Sequence, residues 1–197
     1  KIAKNGDDSY EPGTYPDYLI LEQYSSKEQM DEEFDRYGKD YEGMKAIMKN
    51  NLKGKYSNKQ IENILAKAPK KEVRTYIHER VTSTPITNGD VKVGDVMVAT
   101  AMEQLRDDYE QFETEFYRDL FAQNIIKGNH RFWGFSRIID RNEAAYSAPT
   151  HTAWNMFIDG KELELPDDFV SSKIYELTGD ARKSYIPQEL TMVYSGK

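Results

Sequence analysis

The chain of 197 residues contains no cysteine. That excludes disulfides, thiolate nucleophiles, cysteine-ligated zinc and iron–sulfur clusters. It leaves the compartment open. Histidines number three, His78, His130 and His151. No two of them share an element at ligand spacing, so no metal site is expected. No apolar run approaches the ~20 residues of a membrane-spanning helix. Positive charge is in deficit: 27 Lys and Arg stand against 34 Asp and Glu, net −7. A generally basic nucleic-acid footprint is therefore excluded. The glycines of "KGNHRFWG" precede no helix, so no phosphate loop is read there. "DDSYEPGTYPD" lacks the closing glutamate of a calcium loop. No nucleophile elbow and no signal peptide is visible in these residues. The chain starts at Lys1 rather than Met, which predicts a longer or processed gene product.

What is present is aromatic and charged. Aromatics make up 12% of the chain, with 14 tyrosines, which argues for a packed core rather than disorder. Residues 5–17 cluster Gly, Pro, Asp and Asn and read as loop. Residues 18–24 follow as a strand. Ser26 with Gln29 three residues on is a helix-start signature, and Ser57 is the cap of a second, short helix. They predict a helical region over 27–67, broken at Gly43 and near Gly54 and ended by Pro69. Its last helix carries Ile61, Ile64 and Leu65. Residues 73–80 alternate, with Val73, Thr75 and Ile77 on one face and Arg74, Tyr76, His78 and Arg80 on the other. A connector around 82–94 is the candidate domain boundary.

Beyond it, Leu105, Tyr109, Phe112, Phe116 and Leu120 recur at helical spacing and predict a core stripe over 105–127, stopped by Gly128. The second half reads β (96–104), α (105–127), β (131–139), β (152–158), α (167–178), β (188–195). Pro166 and Gly179 bracket its second helix. This βαββαβ order is the split βαβ, ferredoxin-like motif. The first half reads β (1–4), β (17–24), α (27–67), β (72–81), the same order without its first strand and helix.

Residues 1–21 lie on residues 137–157 without a gap, with identities at Ile2/Ile138, Tyr10/Tyr146 and Thr14/Thr150. Element order adds to those letters and predicts a tandem repeat: 1–84 partial, 92–197 complete. The alternative is one α+β domain whose two strand–loop–strand segments look alike.

The strand leading into "RDDYEQFETEFYRDLFAQNIIKG", the glycine exit and the strand "FWGFSRII" together resemble the dimeric α/β-barrel superfamily, among them the antibiotic-biosynthesis-monooxygenase-like proteins. The chain looks most like bacterial tandem versions of that fold. The resemblance implies an α+β protein whose ferredoxin-like repeats face each other and close a barrel. It implies export slightly over a cytoplasmic place, and a possible homodimer. It also implies, as one reading, a cofactor-independent monooxygenase or isomerase-like enzyme acting on a small aromatic substrate.

The residues themselves suggest where a site would lie. If the polar and aromatic strand faces converge, Glu22, Tyr76, His78, Arg80, Arg131, Trp133, Arg137 and Trp154 line a small-molecule cavity. His78 is the one candidate catalytic residue, a general base beside a carboxylate such as Glu22. Arginines would clamp an anionic ligand. The competing reading makes the tryptophans core and the arginines solvated. His130 and His151, near loop ends, read as surface residues. Three functions follow: a small-molecule-binding or interaction module, the enzyme above, or a purely structural dimer module. No cofactor, metal, nucleic acid or membrane span is expected.

Overall fold

A computed structural model describes residues 2–5, 18–37, 41–67 and 74–194. The predicted loop over 6–17, Pro69, Val73 and the last three residues lie outside them. Two compact units are present: residues 1–21 with 73–197, and residues 22–72. The division falls inside the first of the two predicted repeats.

The larger unit is α+β. Its strands are β1 (Ile2–Asn5), β2 (Tyr18–Ile20), β3 (Tyr76–Ser83), β4 (Val96–Gln104), β5 (His130–Arg141), β6 (His151–Phe157), β7 (Arg182–Ser184) and β8 (Gln188–Tyr194). They form one sheet in the order β2-β1-β8-β4-β6-β5-β3, with β7 pairing separately on β4. Every pairing is antiparallel. Residues 96–194 therefore contribute β8-β4-β6-β5 as contiguous neighbours, compatible with a ferredoxin-like unit. β2 and β3 end the sheet.

The second unit holds α1 (Lys27–Tyr37), α2 (Tyr41–Leu52) and α3 (Asn58–Lys67). Both predicted caps form. The Gln29 amide donates to Ser26 Oγ at 3.2 Å, and Gln29 Oε1 accepts from the Ser25 amide at 2.8 Å. At α3 the Gln60 amide donates to Ser57 Oγ at 3.4 Å while the Ser57 amide donates to Gln60 Oε1 at 2.9 Å, a capping box. The predicted break at Gly43 is absent, because α2 runs through it. Gly54 does turn the chain, with φ +82°. Met30, Ile61 and Leu65 are buried in this unit, whereas Ile64 is exposed.

In the larger unit, α4 (Tyr109–Gln111), a π-helical stretch (Phe112–Tyr117) and α5 (Arg118–Ile126) form the first helical run, and α6 (Phe169–Ala181) the second. The first run starts later than expected and leaves Leu105 exposed. Glu113, within the π-helical stretch, is buried, although it is not one of the apolar stripe residues. α6 is capped by Asp168, whose Oδ1 accepts from the Val170 and Ser171 amides at 2.9 and 3.1 Å. Pro166 therefore lies before the helix, and Gly179 lies within it.

Each face of the sheet has its own apolar cluster. Met102, Tyr109, Trp133, Phe135, Ala153 and Ala181 pack with Phe112, Tyr117 and Phe121 from the helices. Met97, Met156, Leu190 and Met192 pack with Leu19, Leu21, Phe132 and Trp154 on the opposite face. The pleat explains the division, since successive side chains point to opposite faces. Phe132 and Trp154 remain only partly buried.

Candidate functional site

The eight residues singled out from the sequence do not gather in one place. Trp133, Arg131 and Arg137 belong to the helix-covered side or to the connector. Trp133 stacks on Phe121, ring centres 5.2 Å apart and planes 12° from parallel. Arg131 is buried and paired with Asp95 at 2.8 Å. Its guanidinium also donates to the carbonyls of Thr87, Gly89 and Asp90 at 3.0–3.3 Å. Arg131 thus sews the connector before β4 to the start of β5. Arg137 reaches Glu110 at 3.2 Å and Glu79 at 3.6 Å. The expected convergence of Trp133, Arg131 and Arg137 with Trp154 does not occur. Alternation fixed which residues share a face. The helix aromatics decided which face is covered, and Phe121 takes Trp133.

Glu22 sits in the second unit, where Tyr24 Oη donates to it at 2.8 Å. The Arg80 side chain is exposed. Tyr76 Oη accepts from the Tyr146 amide at 2.9 Å, which holds the loop after β5 against β3.

His78 and Trp154 do come together, on the face that none of the larger unit's described helices covers, its helix-free face. Their rings meet edge to face at 5.7 Å, and Tyr76 lies 6.3 Å from the imidazole. Between them stands Ser136, which the sequence reading did not single out. His78 Nδ1 lies 3.0 Å from Ser136 Oγ, and Trp154 Nε1 donates to the same oxygen at 2.9 Å. Ser136 Oγ also lies 3.3 Å from the Thr152 carbonyl. A hydroxyl has one proton and two acceptor lobes. If the Ser136 proton goes to Thr152, His78 carries its proton on Nδ1 and presents Nε2 as an acceptor. If it goes to His78, Nε2 becomes a donor. No described residue bonds Nε2, so this cluster can meet a ligand in either sense. One signal for Ser136 was available: within "FWGFSRII" it is the hydroxyl residue on the strand face opposite Trp133.

Gly134 completes the local geometry. It pairs across the ladder with Trp154. A Cβ at Gly134 would come within 2.8 Å of Phe132 Cζ, so only glycine lets the Phe132 ring fold over the strand here. The result is an apolar cluster of Phe132, Trp154 and methionines beside one polar trio.

Burial, with the Arg141 charge, lowers the His78 pKa to about 4. Burial likewise lowers His130 to about 4. It lowers His151 too, against the pull of Glu110, whose Oε1 lies 2.9 Å from Nε2. His130 and His151 are therefore core residues, not surface ones. His130 lies between the rings of Phe121 and Phe157, at 5.1 and 5.0 Å. His151 stacks on Phe135 at 5.0 Å.

These depressed values couple to stability. An unfolded histidine titrates near 6.5 and binds protons that the folded site refuses, so folding is favoured fully above about 6.5. That contribution is lost as pH falls toward 4. Urea unfolding between pH 7 and 4.5 should show a falling midpoint, and His130→Leu should flatten the fall. An unchanged pH profile in that variant would show that His130 titrates normally.

Among the described residues no group of three His, Cys, Asp or Glu is placed to hold a metal. No helix among them is long and apolar enough to cross a membrane. A hollow of about 400 Å³ lies between α2 and α3, lined by Lys45, Ala46, Lys49, Glu62, Leu65 and Ala66. Lys49 and Glu62 pair across it at 2.6 Å, and no aromatic side chain lines it, so its chemistry is that of a helix–helix groove. No known protein family matches the chain, and no curated protein or solved structure matches it.

Proposed function

We propose that the chain is a small-molecule-binding module of the dimeric α/β-barrel type, with its ligand held on the helix-free face around His78, Ser136 and Trp154. The observation that carries this reading is the trio itself: a neutral imidazole with an open nitrogen, set beside an indole on an apolar floor. Such sites are largely apolar, with a few placed polar groups. Binding is favoured over catalysis because His78, with a pKa near 4, is a weak proton acceptor at neutral pH.

Strand order supports the tandem arrangement. Numbered within its repeat, the second half crosses the sheet as fourth, first, third, second in β8-β4-β6-β5. In the first half, β1, β2 and β3 would be second, third and fourth. The junctions β1 with β8 and β5 with β3 then repeat one pairing, a second strand beside a fourth. The same order would put a first strand between β3 and β2, the two ends of the sheet, and so close an eight-stranded barrel around the trio. In this reading the helix-free face becomes the barrel interior.

The test uses 1-naphthol, a planar probe with one hydroxyl, titrated into the protein and followed by its emission anisotropy. Saturable binding is expected. His78→Ala should weaken it about fivefold to tenfold, the worth of one hydrogen bond, with the melting temperature little changed. No saturable binding, or the same affinity in the variant, would remove this face from consideration.

A further inference from the structure

We infer that the end of the helical layer formed by α5, α6 and the loop between β6 and α6 is a docking surface for a basic amphipathic helix of another protein. The π-helical stretch that leads into α5 meets α6, with Phe116 against Tyr175 at 5.6 Å. The last turns of α5 lie against the loop that leads into α6. The loop over 158–168 is stitched to that end: Asn124 Nδ2 donates to the Glu164 carbonyl at 3.0 Å, and the Glu164 amide donates to Asn124 Oδ1 at 2.7 Å. Phe157, where β6 enters the loop, lies against His130 at 5.0 Å.

Five large apolar side chains are left in solvent there. Phe169 is 79% exposed and Ile126 77%, and Val170, Leu165 and Phe157 are exposed too. Helix formation alone does not demand this. Asp168 already caps α6, and an exposed Phe at the first helical position adds nothing to the cap. An apolar cluster of this kind with a polar rim marks an interaction site.

Charge selects the occupant. The loop over 158–168 carries five acids against one lysine. Asp159 and Glu162 form no ion pair among the described residues. A second copy of this chain, itself net −7, would bring like charge to the rim. A helix with Leu, Ile or Phe on one face and Lys or Arg flanking it satisfies both the patch and the rim.

The test is fluorescence anisotropy with a labelled amphipathic leucine–lysine peptide, beside a leucine–glutamate peptide of the same pattern. The lysine peptide should bind and the glutamate peptide should not. Phe169→Ser should weaken binding about tenfold or more, as loss of an exposed aromatic anchor does. The pair Asp159→Lys with Glu162→Lys should weaken it similarly, and His78→Ala should leave it unchanged, which separates this surface from the helix-free face. Circular dichroism should report native folding in each variant, since all these patch side chains are exposed. Equal binding of the two peptides, or unchanged binding in Phe169→Ser, would overturn the inference. So would concentration-dependent dimers that Phe169→Ser abolishes, which would make the occupant a second copy.

Discussion

Replacing Trp133 with alanine should destabilise the larger unit by about 3–5 kcal/mol, the usual cost of emptying a buried aromatic site. Trp133 is 1% exposed. One ring face stacks on Phe121 at 5.2 Å, and the indole lies parallel to Phe135 at 6.3 Å. Phe135 in turn stacks on His151. Helix and sheet thus meet through one aromatic row, and a void at Trp133 interrupts it in the middle. Trp133→Phe keeps the stack and should cost far less. Urea denaturation followed by far-ultraviolet circular dichroism gives both numbers. A loss below about 1 kcal/mol for the alanine variant would mean that the row is not the anchor.

Glu113→Ala should cost a similar amount, about 3–5 kcal/mol, for a different reason. Glu113 is 1% exposed and pairs with Arg182, the first residue of β7. The guanidinium also lies 5.8 Å from the Tyr109 ring centre and 5.4 Å from that of Tyr117. Burial raises the Glu113 carboxyl pKa against the pull of Arg182. Removing Glu113 strands the arginine charge among those rings, and an unpaired buried charge is worse than none. The double variant Glu113→Leu with Arg182→Met should therefore recover most of the loss. If the double variant is no more stable than Glu113→Ala, the interaction is not a mutually dependent pair.

The second half was legible in the sequence because each local signal agreed with the next. Apolar alternation gave β4, β5 and β6, the Tyr109-to-Leu120 spacing gave the helix, and Gly128, with φ +76°, ended it. The caps at Ser26 and Ser57 were equally legible, since a cap is read within four residues. Three things were not. Alternation sorts side chains into two sets without saying which set is covered, so it allows Trp133 and Trp154 to line one cavity, whereas they lie on opposite faces. Register shifts in β3 and β5, between Ile77 and His78 and between His130 and Phe132, further break a simple alternation. The burial of His130 and His151 depends on Phe121, Phe157 and Phe135 meeting them from other elements, which no local window contains. Ser136 gained its place because Trp154 and His78 converge on it across two strand pairings.

The most direct test is acrylamide quenching of the two single-tryptophan proteins, Trp133→Phe and Trp154→Phe. If the helix-free face is an accessible binding surface, Trp154 emission is quenched several times more steeply than Trp133 emission. 1-Naphthol then protects Trp154 alone. Equal, shallow quenching of both tryptophans, untouched by the probe, would mean that both faces are dry core. The binding reading would then fail.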